Sequence, residues 1–291
     1  MEKIKVFLDT DMGSDCDDAG ALSLLHRLAD CGRVDILAVT HCASEIGGAV
    51  TIKCINEWFG RVNIPVGRYT EKVFLEDDVC KRYTSVISKE YLKTHTLPRF
   101  PEAVSVMREI LSQEKDVTII SIGTLNNVYA LLKSQADEIS SLSGEELIKR
   151  SIKNMYVMGG DFADLSHGEY NILCDIRSAQ YIAENFPKPI IYSGFETGIK
   201  VRTGRCFKNT GSPMEKIYSI STEDALRESW DPITVYCAIV KDSLLFDVKS
   251  NLEIGFNDDA TVKYKTGGKD GFIIMNSEPE AVEKELDGLM Y

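Results

Sequence analysis

The feature that most restricts how this 291-residue chain can fold is a run of acids set directly behind an apolar segment. Ile4-Lys-Val6-Phe-Leu8 is short, apolar and partly β-branched, the pattern of a buried strand. It leads at once into Asp9-Thr-Asp11-Met-Gly13-Ser-Asp15-Cys-Asp17-Asp18, five aspartates in ten residues. No Lys or Arg lies between Lys5 and Arg27 to neutralise them. Downstream, Asp18-Ala-Gly-Ala-Leu22-Ser-Leu-Leu25 has helical apolar spacing with acids at its start, where they complement the helix dipole. Strand, turn and helix in that order put the acids at the carboxyl end of a first strand, where open α/β sheets bind ligands.

Carboxylates a few ångströms apart raise one another's pKa unless a cation or hydrogen-bond donors keep them ionised. With only oxygen on offer, a hard cation is the natural neutraliser, Ca²⁺ before Mg²⁺. A plain helix cap would need one or two acids, not five. The chain has 33 basic and 45 acidic residues, a net charge of −12, which argues against a nucleic-acid or anionic-membrane surface. No apolar run reaches the roughly 18 residues of a membrane span, and the opening Met-Glu-Lys-Ile-Lys has no signal-peptide anatomy. Eight cysteines without a Cys-x-x-Cys pair read as reduced, buried thiols in a cytoplasmic protein.

Along the chain, Val34 to Thr40 reads as a second buried strand, a helix follows to about Phe59, and Ile64-Pro-Val66 forms a short third strand. This alternation predicts one α/β domain over residues 1–291, a doubly wound and mostly parallel sheet. Residues 68–100 are irregular, with Tyr69, Phe74, Tyr83, Tyr91 and Phe100 spread through a flap or a surface excursion. A helix runs from Phe100-Pro-Glu102 to about Gln113; Val117 to Ile122 is a central strand, followed by the Gly123-Thr-Leu-Asn126-Asn127 turn and a helix to Leu132. Residues 134–150 read as a surface connection. The strand through Met155 to Met158 ends in Gly159-Gly160, which lets backbone approach a ligand closely. Glu169 and Asn171, spaced i and i+2, point the same way if extended and would grip sugar hydroxyls; alternatively Asn171 and Asp175 cap the next helix. Ile190 to Ser193 is a strand with Glu196 just beyond it. Asp231-Pro232 reads as an N-cap with proline at the first helical position. Leu252 to Met275 alternates like a small hairpin or sheet edge, and Glu278 to Met290 is a terminal helix, together a small carboxyl-terminal extension.

The first loop resembles the amino-terminal signature of the inosine/uridine-preferring nucleoside hydrolase family, Asp-x-Asp-Pro-Gly-x-Asp-Asp. Here Met12 replaces the proline, and two extra residues separate Gly13 from Asp17-Asp18. Matching the helix start favours Asp17 and Asp18, whereas matching the distance from Gly13 favours Asp15. The resemblance runs from about residue 3 to about residue 245. Gly123 to Asn127 is similar to the family's Gly-Pro-Leu-Thr-Asn turn, with Asn126 where a threonine gives its carbonyl to a metal. Glu169-x-Asn171 resembles the ribose-contacting segment, with Ala163 in place of a further asparagine. Asp231 matches a metal-ligating aspartate, but the histidine often found before it is Trp230 here.

The resemblance implies Ca²⁺-dependent hydrolysis of the N-glycosidic bond of ribosides to base and ribose, by a homo-oligomer, dimer or tetramer. It implies Asp11 as catalytic base and metal ligand, with Asp18, Asp231 and the Asn126 carbonyl completing the metal site and Asp15 as a further candidate. Asp17, Glu169 and Asn171 would hold the ribose, and Trp230 would stack on the base. A proton for the leaving base would have to come from His41, His95 or His167. Two other classes stand beside this one. A metal-dependent riboside-binding protein would need no such proton. A haloacid dehalogenase-like phosphatase would also place Asp9-Thr-Asp11 after a strand, although Gly13 and the lack of a clear partner lysine speak against it.

Overall fold

The computed structural model describes residues 3–71 and 81–291; Phe74 and Cys80 lie outside them. The chain begins in the middle of its sheet. Strand β1 (Ile4–Thr10) is hydrogen-bonded in parallel to β2 (Val34–His41) on one side and to β4 (Val117–Ser121) on the other. Val6 faces Ile36 and Thr118 across the two ladders. Such a strand is covered on both faces, which is why it reads as a continuous apolar run. Val6 and Leu8 pack with Leu22 and Leu25 of α1 (Asp17–Asp30), Ile52 of α2 (Ile46–Trp58), Ile233 of α11 (Trp230–Ile239) and Leu286 of α12 (Pro279–Met290). Phe7 points the other way, into a second core with Met107 of α4 (Ala103–Gln113), Leu131 of α5 (Asn126–Lys133), Ile148 of α6 (Gly144–Ser151) and Ile182 of α8 (Ile176–Asn185).

From β1 the chain winds outward through β2 to β3 (Val66–Arg68), then returns and winds the opposite way through β4, β5 (Ile152–Met158) and β6 (Ile190–Ser193). The order reverses between β1 and β4, and a crevice opens at the carboxyl ends of strands where that happens. The last strands, β9 (Phe246–Phe256), β10 (Val262–Thr266) and β11 (Asp270–Met275), extend this same sheet. β11 runs parallel to β6 and β9 is antiparallel to both its neighbours, giving a nine-stranded, mostly parallel sheet. The carboxyl-terminal segment is thus a sheet edge.

Three local expectations change. The stretch 134–150 holds helix α6, closed by a capping box in which Ser143 and Glu146 bond each other's backbone N–H groups, with Leu147 and Ile148 facing inward. Within 68–100, α3 (Thr84–Tyr91) presents Tyr83, Ile87 and Tyr91 inward at helical spacing. The third strand starts at Val66, after Pro65, which has no N–H to give a ladder. Among the described residues no helix is long and apolar enough to cross a membrane.

Candidate active site

The five aspartates divide by what they meet. Asp9, still on β1, turns into the structure: its Oδ1 accepts from Thr40 Oγ1 at 2.5 Å and Asn127 Nδ2 at 2.8 Å. It ties three elements together. The other four surround the crevice. Asp11 lies beside Gly123 at the end of β4, and a methyl group there would come within 2.7 Å of Asp11 Oδ1. Glycine is what lets the carboxylate settle against that strand. Ser14 Oγ donates to Asp11 Oδ2 at 3.0 Å, and Thr10 Oγ1 donates to Asp18. Asp17 and Asp18 open α1, while Asp231 sits in the first turn of α11, so two helix amino termini converge on the acids.

The start of α11 differs from the expectation. Its N-cap is Ser229, and Trp230 is already helical, so Asp231 is the second residue of the helix and Pro232 the third. Asp231 therefore does not cap; its backbone N–H donates to Asp17 Oδ2 at 3.1 Å. One carboxylate oxygen from each of Asp15, Asp18 and Asp231 lies within 4.8 Å of the others. Asp15, from the lengthened loop, thus joins the cluster, whereas Asp11 lies on the cavity wall beside it. The helix start and the distance from Gly13 both prove relevant: Asp17 and Asp18 begin α1, and Asp15 reaches the same point.

Asp11, Asp15, Asp17 and Asp231 form one side of a cavity of about 350 Å³. Glu169, Asn171 and Met158 line another side, and Tyr83, Phe195 and Trp230 supply an aromatic wall. Glu169 and Asn171 do reach the cavity, but not from extended backbone. Glu169 caps the short helix α7 (Tyr170–Cys174) and accepts N–H bonds from Asn171 at 2.9 Å, Ile172 at 3.1 Å and Gly160 at 3.3 Å. Asp175, not Asn171, caps α8 through Ser178 N. Asn126 is not among the residues that line this cavity. It opens α5, and its side chain bonds Cys42 O and Thr124 Oγ1. Ile122, just before that turn, is on the cavity wall.

Trp230 is firmly seated. Its Nε1 donates to Phe195 O at 2.8 Å, and its ring stacks on Phe195 with centroids 5.4 Å apart. A methyl at Gly198 would meet Trp230 Cδ1 at 2.5 Å, so glycine makes room for the indole. Over the ring, 5.2 Å away, lies the guanidinium of Arg227, which also bonds Asp15 Oδ2 at 2.7 Å. Phe195 and Arg227 were not singled out from the sequence, and Tyr83 was named there only as one aromatic of the irregular stretch 68–100. Phe195 lies in the turn that drew attention to Glu196, whose own Oε2 serves the backbone by accepting from Phe162 N at 3.0 Å.

Electrostatics sets the chemistry. Burial, and then the charge of Asp15, pushes Asp11 up to about 7. Burial, followed by neighbouring acids, drives Asp17, Asp18 and Asp231 well above the usual carboxylate range. Burial also lifts Glu169 to about 7 despite its three N–H donors. Asp17 Oδ1 and Asp18 Oδ2 are buried with no hydrogen-bond partner. Buried charge left incomplete in this way is normally completed by a cation. An all-oxygen set of carboxylates suits a hard divalent ion, so the residues fit a metal.

A model of the inosine-uridine preferring nucleoside hydrolase family matches residues 6–281. Among solved structures, an inosine-uridine preferring nucleoside hydrolase from Bacillus anthracis shares the fold with a TM-score of 0.75 at 16% identity, over 99% of both chains. A plant nucleoside hydrolase gives 0.71 at 18% identity, over 100% of this chain and 99% of its own. A purine-preferring ribonucleoside hydrolase from Gardnerella vaginalis gives 0.70 at 16%, over 98% and 99%. No curated protein matches the chain. The family match spans nearly the whole sequence: the chain belongs to the inosine-uridine preferring nucleoside hydrolases and is an N-glycosidase.

Proposed function

We propose that the protein hydrolyses ribosides to free base and ribose with Ca²⁺ in the Asp15, Asp18 and Asp231 cluster. The observation that carries this is the convergence of those three carboxylates, with Asp18 Oδ2 buried and without a hydrogen-bond partner. Bound there, the ion supplies the positive charge that lets the acids ionise together and makes a neighbouring water more acidic. Asp11, beside the cluster, takes the proton of the attacking water; its carboxylate also faces the positive charge that develops on the ribose. Asp17, Glu169 and Asn171 hold ribose hydroxyls. Trp230 and Phe195 offer the base an aromatic face.

A second reading, a riboside-binding protein without turnover, draws on Trp230. Its Nε1 is committed to Phe195 O, and indole is not a usable acid, so the position before Asp231 has no proton to give. The phosphatase alternative falls with the family membership. Purified protein incubated with a panel of purine and pyrimidine nucleosides separates the remaining two. Release of base and reducing sugar, abolished by chelator and restored by Ca²⁺, is the expected result. Saturable binding with no release would establish the binding reading instead.

A further inference from the structure

Trp230 cannot protonate a departing base, which leaves open where that proton comes from. Resting on the hydrolase reading above, we propose that His167, held by Asp161 just behind the cavity wall, is the acid that protonates the base through a bridging water. The chain has four histidines, and the structure separates them. His26 is buried between Asn56 and the ring of Phe59, far along α1 from the acids. His41 is buried with Nε2 held by Met12 O at 3.1 Å. His95 stacks on Tyr91 beyond the end of α3, with Glu57 beside it. None of the four histidines lies on the cavity wall itself, and these three touch no residue that does.

His167 is placed differently. Its ring meets Phe195 edge-on, with centroids 4.8 Å apart, and Phe195 is the cavity residue that stacks on Trp230. Two residues further on, Glu169 lines the same cavity. The imidazole is 41% exposed, so solvent can restore a proton it gives up. His167 Nδ1 lies 3.0 Å from Asp161 Oδ2. Asp161 is itself only 4% exposed, and its other oxygen accepts the N–H groups of Ala163 at 3.0 Å and Asp164 at 2.8 Å. His167 N donates to Asp164 O at 3.1 Å, so the backbone is pinned as well as the ring. A carboxylate bound to Nδ1–H fixes the ring and stabilises the imidazolium, whose Nε2 is then the nitrogen free to transfer a proton.

The step balances. The bond between C1′ and the base nitrogen breaks, its electron pair leaves with the base, and the proton on His167 Nε2 neutralises that base. Water adds to C1′ and gives its proton to Asp11. Solvent then returns a proton to His167 and takes one from Asp11.

The bland account of the pair is that it merely closes the loop 161–167, and leaving-group dependence separates the two. General acid catalysis matters for a poor leaving group and little for p-nitrophenolate, and such assistance is typically worth 10²–10⁴-fold. For His167→Gln, kcat/KM on inosine should fall at least about 100-fold further than kcat/KM on p-nitrophenyl riboside. Asp161→Asn should show the same selectivity to a smaller degree. Equal slowing of both substrates, or no slowing of either, overturns the proposal while leaving the hydrolase intact. A wild-type protein that cleaves neither substrate overturns the hydrolase reading and this proposal with it.

Discussion

Two groups of buried charge in this molecule are built on opposite terms. Arg108, on α4, is fully buried and fully answered. Its guanidinium gives two bonds to Asp137 at 2.8 Å, one to Ser134 Oγ at 2.9 Å, and one each to the carbonyls of Ser140 and Leu142 at 3.0 Å. The aspartates at the end of β1 and the start of α11 are equally buried, yet Asp17 Oδ1 and Asp18 Oδ2 have no donor. Arg108 collects partners because each missing one is costly, whereas Asp9, which also ties the fold together, keeps Oδ2 without a donor. A charge buried for chemistry is left incomplete, and the missing partner is the ligand. What marks the crevice is therefore not one unpartnered oxygen but several, on carboxylates that converge.

The sharpest way to break this comparison is to remove one charge of each kind. Asp231→Asn should lower kcat/KM by about 10³-fold or more, the scale for losing a preorganised charge at the reacting centre. Its Tm without metal should not fall, since the substitution relieves repulsion among the acids. Arg108→Met should do the reverse, costing about 3 kcal/mol of stability by dismantling a buried network while kcat/KM of the folded protein stays at the wild-type level. Urea titration paired with steady-state kinetics reads both. If Arg108→Met cripples the chemistry, or Asp231→Asn unfolds the chain, the division into completed and incomplete charge fails.

What could be read from the sequence follows the same division. The incomplete cluster was legible because it is local: five acids in ten residues behind an apolar strand have few explanations. Asp231 was legible only through its proline and the family resemblance, and its helix boundary came out two residues late. Nothing in Ser229-Trp230-Asp231-Pro232 reveals that Asp231 N–H is spoken for by Asp17. Arg227 was invisible, since no local pattern says that it will bond Asp15, 212 residues away. The nine-stranded order was likewise hidden: alternation announces a parallel sheet but not that β1 sits between β2 and β4. Helix α6 was legible and overlooked, because Ser143 and Glu146 carry a capping-box pattern inside a polar stretch.

A smaller effect tests the incomplete cluster through pH. The folded-state values of Asp9 and Asp11 are raised from 3.8 to about 7, and that of Glu169 from 4.5 to about 7, mainly by burial. A metal-free fold therefore holds these protons more tightly than the unfolded chain does. That contribution to stability is complete below about pH 4 and is lost as pH rises to about 7. Chelated protein should thus lose Tm steadily between about pH 5 and pH 8. Ca²⁺ at about 100 times its Kd should restore about 2.7 kcal/mol, with the larger rise in Tm at the higher pH. A chelated protein whose Tm is flat or rising across that window would mean the acids are compensated from within.

Glu169 offers the finest test, because it belongs to both groups. Its oxygens are as well supplied as those around Arg108, with three backbone N–H donors, yet it lines the cavity and burial raises its carboxyl to about 7. If it serves only to cap α7, the amide oxygen of Glu169→Gln does most of the same work. Stability and kcat/KM should then both stay close to wild type, and only Glu169→Ala should cost the usual ~1 kcal/mol of a lost cap. If the carboxylate also accepts a ribose hydroxyl, Glu169→Gln should keep its Tm and lose about tenfold in kcat/KM, the difference between a charged and a neutral acceptor. Asn171→Ala is the control for position. Its Nδ2 is held only by a 3.5 Å contact to Met158 O and a 3.2 Å contact to Met158 Sδ, so its loss should leave the Tm in place. A fall in kcat/KM for Asn171→Ala with no fall for Glu169→Gln would assign the ribose contact on this side of the cavity to Asn171 alone, and would move Glu169 into the company of Arg108.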